Sequence, residues 1–426
     1  MTIMTTLEGK KAAAGKNPLW GKETERFIAA LSAGGPALDE YPEVIRALAL
    51  VKKAAALANE DIGRLGEGKA RAICAAADEA VAGKLRGNFP VGALGSWGVP
   101  ANTMMNEVLA ARASELSGLD VRPEDVNRSQ GSIDVVRTAE RIVRHDALLR
   151  VAKEAERFAE KLDAKATEFA DVVKPGRALL RDGFPVTLGA EFEGYAVGIR
   201  RTAGKLELEA GHEDDSALGF GDFGNGFGIP AEFRGAAAKR LTEVTGRLFR
   251  PALSGFDAIA ATDRALLSHA HIQALALVFW RACCDLTLIT SGPRGGIREI
   301  AFPAVAPGSS IMPGKVNPTM AQLGKLVADQ VSASQLAITK AVQSGFLDTG
   351  SASALPTIRI AENADLLSRT LDAVGRRVVD GLKAFRDRDL ELAKASPALK
   401  YAVEAGLVSR EEAEKALRSP LEEGAE

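Results

Sequence analysis

Lys315 and Asn317 stand two residues apart near the end of the stretch Ser291 to Pro318, SGPRGGIREIAFPAVAPGSSIMPGKVNP, which also carries the adjacent hydroxyls Ser309 and Ser310. A fixed ammonium, an amide, two hydroxyls and the backbone N–H groups of a glycine-rich turn suit a carboxylate or a phosphate. Five Gly, five Pro and three Ser in these twenty-eight residues argue against regular structure. A loop this long inside a compact domain is usually functional or disordered. Ile297, Ile300, Phe302, Val305, Ile311, Met312 and Val316 give it side chains to bury, which argues for order. On composition alone, a structural turn with an exposed lysine explains the stretch equally well.

Two further stretches offer polar groups. Residues 125–138, DVNRSQGSIDVVRT, read as a helix N-terminus rich in capping residues, with Asn127, Ser129, Gln130, Ser132 and Asp134. A carboxylate would sit well there, and simple capping explains the same residues. Residues 87–108, GNFPVGALGSWGVPANTMMNEV, form a Gly/Pro-rich loop that feeds a helix and contains Asn102. His269 and His271 are two apart, so they face different sides of a helix and cannot pair as ligands. His145, beside Arg144 and Asp146, reads as a surface residue or a subunit contact. Cys74, Cys283 and Cys284 form neither a C-x-x-C nor a Cys/His cluster, so no metal site is expected. All three read as buried helix residues.

The order of residues adds a family resemblance. Gly308-Ser309-Ser310-Ile311-Met312-Pro313-Gly314-Lys315-Val316-Asn317-Pro318 resembles the signature loop of the fumarase/aspartase superfamily, in its class II fumarase and aspartase branch. Trp20 to Phe27, Asn106-Glu107-Val108 and residues 125–138, 174–195, 219–233 and 343–358 resemble other family segments. The resemblance implies an all-α homotetrameric lyase built on a central bundle of long helices, with active sites shared between subunits. Such enzymes remove a proton next to a carboxylate and expel a group from the neighbouring carbon, without metal or cofactor. Ser309 falls at the family's catalytic base. Lys315 and Asn317 fall at its carboxylate-binding pair, and Ser310, Ser132 and Asn102 at substrate contacts.

The chain also departs from the pattern. Val99 stands where a threonine hydroxyl normally touches substrate. Gly131 and Ile133 replace a serine and an asparagine, leaving Ser132 alone. Ala178 and Leu179 replace a threonine–histidine pair, and Asp348 replaces the glutamate that pairs with that histidine. Val99, Ile133, Ala178 and Leu179 are expected to form an apolar wall of the pocket. Departing water or ammonia would lose about 1–3 kcal/mol per missing hydrogen-bond partner there. The favoured reading is a lyase acting on a succinyl-type carboxylate with an unusual leaving group, giving fumarate or a fumarate-like product. An ordinary fumarase or aspartase, a cycloisomerase-like enzyme and a catalytically silent homologue remain as alternatives.

Helices must position these groups. With 426 residues the chain can build a large core and more than one domain. Aromatics are 5% of it, while alanine, leucine, glutamate and lysine abound, which favours helix. Apolar residues recur at helical spacing over 42–59 (Val44, Leu48, Val51, Ala55) and 66–83 (Ala70, Ile73, Cys74, Ala77, Val81). The spacing continues over 135–170 (Leu148, Val151, Ala155, Phe158, Leu162), 232–249, 263–289, 320–342 and 358–383. The expected domains are 1–134, 135–383 with the loop 291–318, and a small helical piece at 384–426 ending in a disordered acidic LEEGAE tail. A net charge of −2 and a pI near 6.2 give no basic surface for nucleic acid. An odd cysteine count fits a reducing compartment, expected to be the cytoplasm. The N-terminal MTIMTTLEGKKAAAGKNPLW has no apolar core of a secretory signal. No run of eighteen apolar residues exists, so no membrane span is expected.

Overall fold

The computed structural model describes residues 9–10, 18–312, 314–351 and 353–418. The expectations for the LEEGAE tail and for most of the N-terminal stretch lie outside them. The chain divides into two compact units, each assembled from three stretches. The first comprises Met1–Leu149, Leu208–Ala270 and Ala333–Asn363, and the second Arg150–Glu207, His271–Ser332 and Ala364–Glu426.

The first unit opens with α1 (Lys22–Leu31), α2 (Pro42–Asp61), α3 (Glu67–Val81) and α4 (Val99–Ser117). The N-terminus of α1 is capped from a distance. The Glu107 carboxylate accepts backbone N–H bonds from Gly21, Glu23 and Thr24 at 2.9, 3.1 and 3.1 Å. These donors have no partner inside a helix, so a carboxylate placed on them fixes the chain's entry. Pro42 occupies the first position of α2, where its missing N–H costs nothing. Leu48, Val51 and Ala55 are buried as expected, while Val44 is half-buried. The alanines of α3 let helices approach closely, and Cys74 is a core thiol that burial pushes up to about 11. α7 (Ala231–Thr245) completes this core.

Five long helices run through both units: α5 (Ser132–Glu168), α6 (Leu188–Gly211), α8 (Asp263–Ile289), α9 (Thr319–Val342) and α10 (Leu355–Arg377). The sequence places α8 to the residue. It starts α5 three residues late, because Ser132 already opens the helix and Asp134 caps Gly131 N–H at 3.0 Å. It ends α10 six residues late, because Lys383–Ala384 pairs with Ile300–Ala301 as a short antiparallel ladder instead. In the second unit Phe158 and Phe279 meet edge to face at 5.3 Å, and Phe169 and Phe192 at 5.5 Å. The closing helices are α11 (Arg386–Lys394), α12 (Pro397–Glu404) and α13 (Arg410–Lys415).

Two expectations need correction. Residues 173–187 form a hairpin, β1 (Val173–Ala178) against β2 (Arg181–Thr187), which the helical reading did not foresee. Its two-residue turn, Leu179–Leu180, has both residues at positive φ, 50° and 61°. Cys284 is half-buried, unlike Cys283. α8 meets the length and composition of a membrane span, as the core helix of a folded bundle also does. Only 44% of its most apolar window is buried within the chain.

Candidate active site

The loop 308–317 belongs to the second unit. Gly308 lies so close to the far limb that a Cβ there would be 2.0 Å from the Lys315 carbonyl oxygen, so only glycine fits. Asn317 Nδ2 donates to the Gly308 carbonyl at 2.7 Å and closes the loop end to end. Inside that closure Ser309 Oγ accepts N–H bonds from Ile311 at 3.2 Å and Met312 at 3.1 Å. Ser309 and Asn317 are half-buried, whereas Ser310 and Lys315 are exposed.

The N-terminus of α5 belongs to the first unit, where Asn102 and Ser132 come together. Asn102 Nδ2 donates to Ser132 Oγ at 3.1 Å and to Asn127 Oδ1 at 3.0 Å. Lys52, fully buried on α2, donates to the same Asn127 oxygen at 3.0 Å and to Gln130 Oε1 at 2.9 Å. Burial lowers the Lys52 ammonium to about 7 against the pull of Asp134, and raises the Asp134 carboxyl to about 7. Asp134 Oδ2 accepts the Gly219 and Gly221 N–H groups at 3.0 and 2.9 Å, anchoring the glycine loop 219–228. That anchor delivers Asp222, whose Oδ1 accepts the Ile133 N–H at 2.8 Å. A Cβ at Gly131 would lie 2.5 Å from the same oxygen. The glycine that replaces the family's serine is therefore the residue that makes room for Asp222. Sequence reasoning missed Lys52 and Asp222. The available signal was a single acid in an otherwise apolar Gly/Phe loop.

The four wall residues are placed two in each unit. Val99 opens α4 and is 52% exposed, whereas Ile133 is buried with Phe220 and Ile259. Ala178 ends β1 and is exposed, and Leu179 at the hairpin tip is 99% exposed. Leu179 lines a cleft of about 550 Å³ together with Lys174, Arg177, Tyr195 and Arg281. Lys174 is bonded to Glu191 at 2.6 Å and Glu299 at 2.8 Å, and Arg177 is paired with Glu299. Beside this network Asp389 is fully buried with neither carboxylate oxygen hydrogen-bonded among the described residues. Burial, with the Glu299 charge adding to it, raises Asp389 to about 8 against Lys174, Arg177 and Arg388.

Asp348 is exposed in a short turn of helix at Leu347–Thr349. The buried Arg137 guanidinium on α5 fastens the end of that turn and the residues after it, donating to the Thr349, Ser351 and Ile259 carbonyls at 3.2, 3.0 and 2.9 Å. His269 is buried between Gln335 and Asn363, and His145 pairs with Asp146 at 3.0 Å. Among the described residues no group of three or more His, Cys, Asp or Glu could hold a metal ion.

The family described as Lyase matches residues 13–333. The class II fumarate hydratase of Ralstonia nicotianae is 36% identical over 389 residues, covering 89% of this chain and 84% of that protein. The class II fumarate hydratase of Nitrosomonas europaea is 40% identical over 330 residues, 75% of this chain and 71% of its own. Among solved structures, a fumarate lyase:delta crystallin from Brucella melitensis bound to cobalt superposes with a TM-score of 0.89 at 34% identity, covering 94% of this chain and 88% of that one. The recombinant class II fumarase of Schistosoma mansoni gives 0.87 at 26% identity, again over 94% and 88%. Agreement of this extent, in sequence and in fold, makes the chain a member of the fumarase/aspartase superfamily and a fumarase-type lyase.

Proposed function

We propose that the substrate is a succinyl-type carboxylate with a non-standard leaving group, and that Ser309 is the general base. The proton on the carbon beside one carboxylate passes to Ser309 Oγ. The electron pair of that C–H bond forms the double bond, and the leaving group departs from the neighbouring carbon with the pair of its own bond. The product is fumarate or a fumarate-like acid. Serine is a poor base at its ordinary pKa, so its alkoxide needs stabilisation. The observation that carries the reading is the pair of N–H groups, from Ile311 and Met312, already aimed at Ser309 Oγ. Donors fixed in place before charge develops stabilise it without reorganisation. Lys315, Ser310 and Asn317 bind the carboxylate whose neighbouring carbon loses the proton. Ser132 and Asn102 face the other end of the substrate.

The working enzyme in this reading is a homotetramer, each active site drawing the loop 308–317, the α5 N-terminus and the β1–β2 tip from different copies. In the second unit, Val197 on α6, Leu277 on α8 and Leu326 on α9 are 51%, 50% and 55% exposed, apolar surface suited to subunit burial. Val99, Ile133, Ala178 and Leu179 then form the wall on the leaving-group side and exclude water there. A kinetic panel tests this. N- and O-substituted succinates are assayed for fumarate release beside L-aspartate, L-malate and the reverse addition of ammonia to fumarate. The expected result is turnover of a substituted succinate, with kcat/KM for L-aspartate and L-malate well below about 10⁴ M⁻¹s⁻¹. Values at or above that for either ordinary substrate, or no fumarate from any substituted succinate, overturn the proposal.

A further inference from the structure

The geometry points to Asp222 as a specificity-determining residue: it places a carboxylate of the chain's own at the N-terminus of α5, so that the substrate group docking beside Ser132 is a nitrogen-bearing donor, cationic and not anionic. The inference rests on the reading of Ser132 and Asn102 as substrate contacts. The first N–H groups of a helix, left without intrahelical partners, ordinarily attract an anion. Here two N–H groups at that end are already taken by carboxylates. Gly131 N–H goes to Asp134 Oδ1 at 3.0 Å and Ile133 N–H to Asp222 Oδ1 at 2.8 Å. Asp134 and Asp222 already repel each other, and this repulsion adds to the burial that raises Asp134. A further carboxylate beside Ser132 would meet the Asp222 charge with these amides consumed.

Asn102 supplies an independent observation. Asn127 Nδ2 donates to the Gln130 carbonyl at 3.3 Å, so the Asn127 atom that Lys52 touches is the carbonyl oxygen. The Asn102 atom facing that same oxygen must then be its NH2, whose second hydrogen goes to Ser132. This fixes the amide's orientation and leaves Asn102 Oδ1 as an acceptor, 2% exposed, with no hydrogen-bond partner among the described residues. A buried acceptor of this kind calls for a donor. One fixed carboxylate and one waiting carbonyl oxygen suit an ammonium or another N–H-bearing group on the leaving side of the substrate.

Succinate and 3-aminopropionate differ by one replacement, an ammonium for a carboxylate. Calorimetric titration of the assembled protein with each therefore reads the preference directly. The wild type is expected to bind 3-aminopropionate about tenfold more tightly than succinate, and Asp222→Asn to reverse that order. The asparagine keeps an oxygen for the Ile133 N–H, so α5 retains its cap. Equal or tighter binding of succinate by the wild type overturns the inference, as does no binding of 3-aminopropionate or an equal shift of both probes in Asp222→Asn. The wild-type comparison stands even if the variant does not fold. Neither probe needs to react. Failure of the kinetic panel therefore leaves this measurement intact, and failure here leaves Ser309 as base untouched.

Discussion

In the loop 308–317 two backbone amides converge on a serine; at the N-terminus of α5 the amides of Gly131 and Ile133 reach the chain's own aspartates. Both are small sets of oriented donors, and they differ in what they hold. Amides aimed at a neutral hydroxyl can stabilise a charge that appears during reaction, which is what catalysis requires. Amides already satisfied by permanent carboxylates add nothing when charge develops, but they fix where negative charge stands before a ligand arrives. The first arrangement suits chemistry and the second suits selection. The chain keeps the family's loop at the former and has rebuilt the latter.

The largest effect expected from breaking this contrast is at Ser309. Ser309→Ala should lower kcat by about 10³-fold or more, with fold and assembly unchanged by circular dichroism and sedimentation. Retained turnover would remove the serine from the mechanism and erase the distinction between the two regions. Lys315→Ala should weaken substrate binding by about 1.5–3 kcal/mol through loss of a charge-assisted contact, read as a raised KM.

Gly131→Ser sharpens the other side. The new Cβ would lie 2.5 Å from Asp222 Oδ1, and overpacking of this kind costs about 1–3 kcal/mol in thermal unfolding. In the double variant with Asp222→Ala the part of that cost due to the carboxylate should vanish, while the part due to the Asp222 backbone N, 2.9 Å from the same Cβ, remains. Additive losses would show that the two residues do not share the space.

The smallest effect is a slope. Asp389 has its folded pKa raised to about 8 from 3.8, so the folded state holds a proton that the unfolded state releases between those values. Stability from this group is full below the unfolded pKa and falls as pH rises to about 8, by at most about 1.4 kcal/mol per pH unit. Asp389→Asn should flatten the fall in denaturant titrations across that window. An unchanged slope would place the pH response elsewhere.

The long helices and the family resemblance of the loop 308–318 could be read from the sequence because their information is local. α8 carries its apolar pattern over twenty-seven residues, and the loop's chemistry lies within eleven. The hairpin at 173–187 was hidden by Pro175, Gly176, Gly183 and Pro185, which punctuate both strands, and by a turn of two leucines where glycine or asparagine is the usual signal. Asp222 was hidden for a different reason. It meets Ile133 across eighty-nine positions, and only the grip of Asp134 on the Gly219 and Gly221 amides brings it there. Lys52 looks like any cation in a helix until the packing of α2 turns it inward.

The fit between Gly131 and Asp222 also bears on how this chain can change. A serine restored at 131 alone collides with the aspartate, and an alanine at 222 alone leaves the Ile133 N–H without its acceptor. Each single change passes through a poorer protein, and the two together relieve only the collision with the carboxylate, since the Ile133 N–H still lacks its acceptor and the Asp222 backbone N still lies 2.9 Å from the new Cβ. Such a lock resembles a ratchet. Once both residues were in place, neither could change alone without a cost in stability.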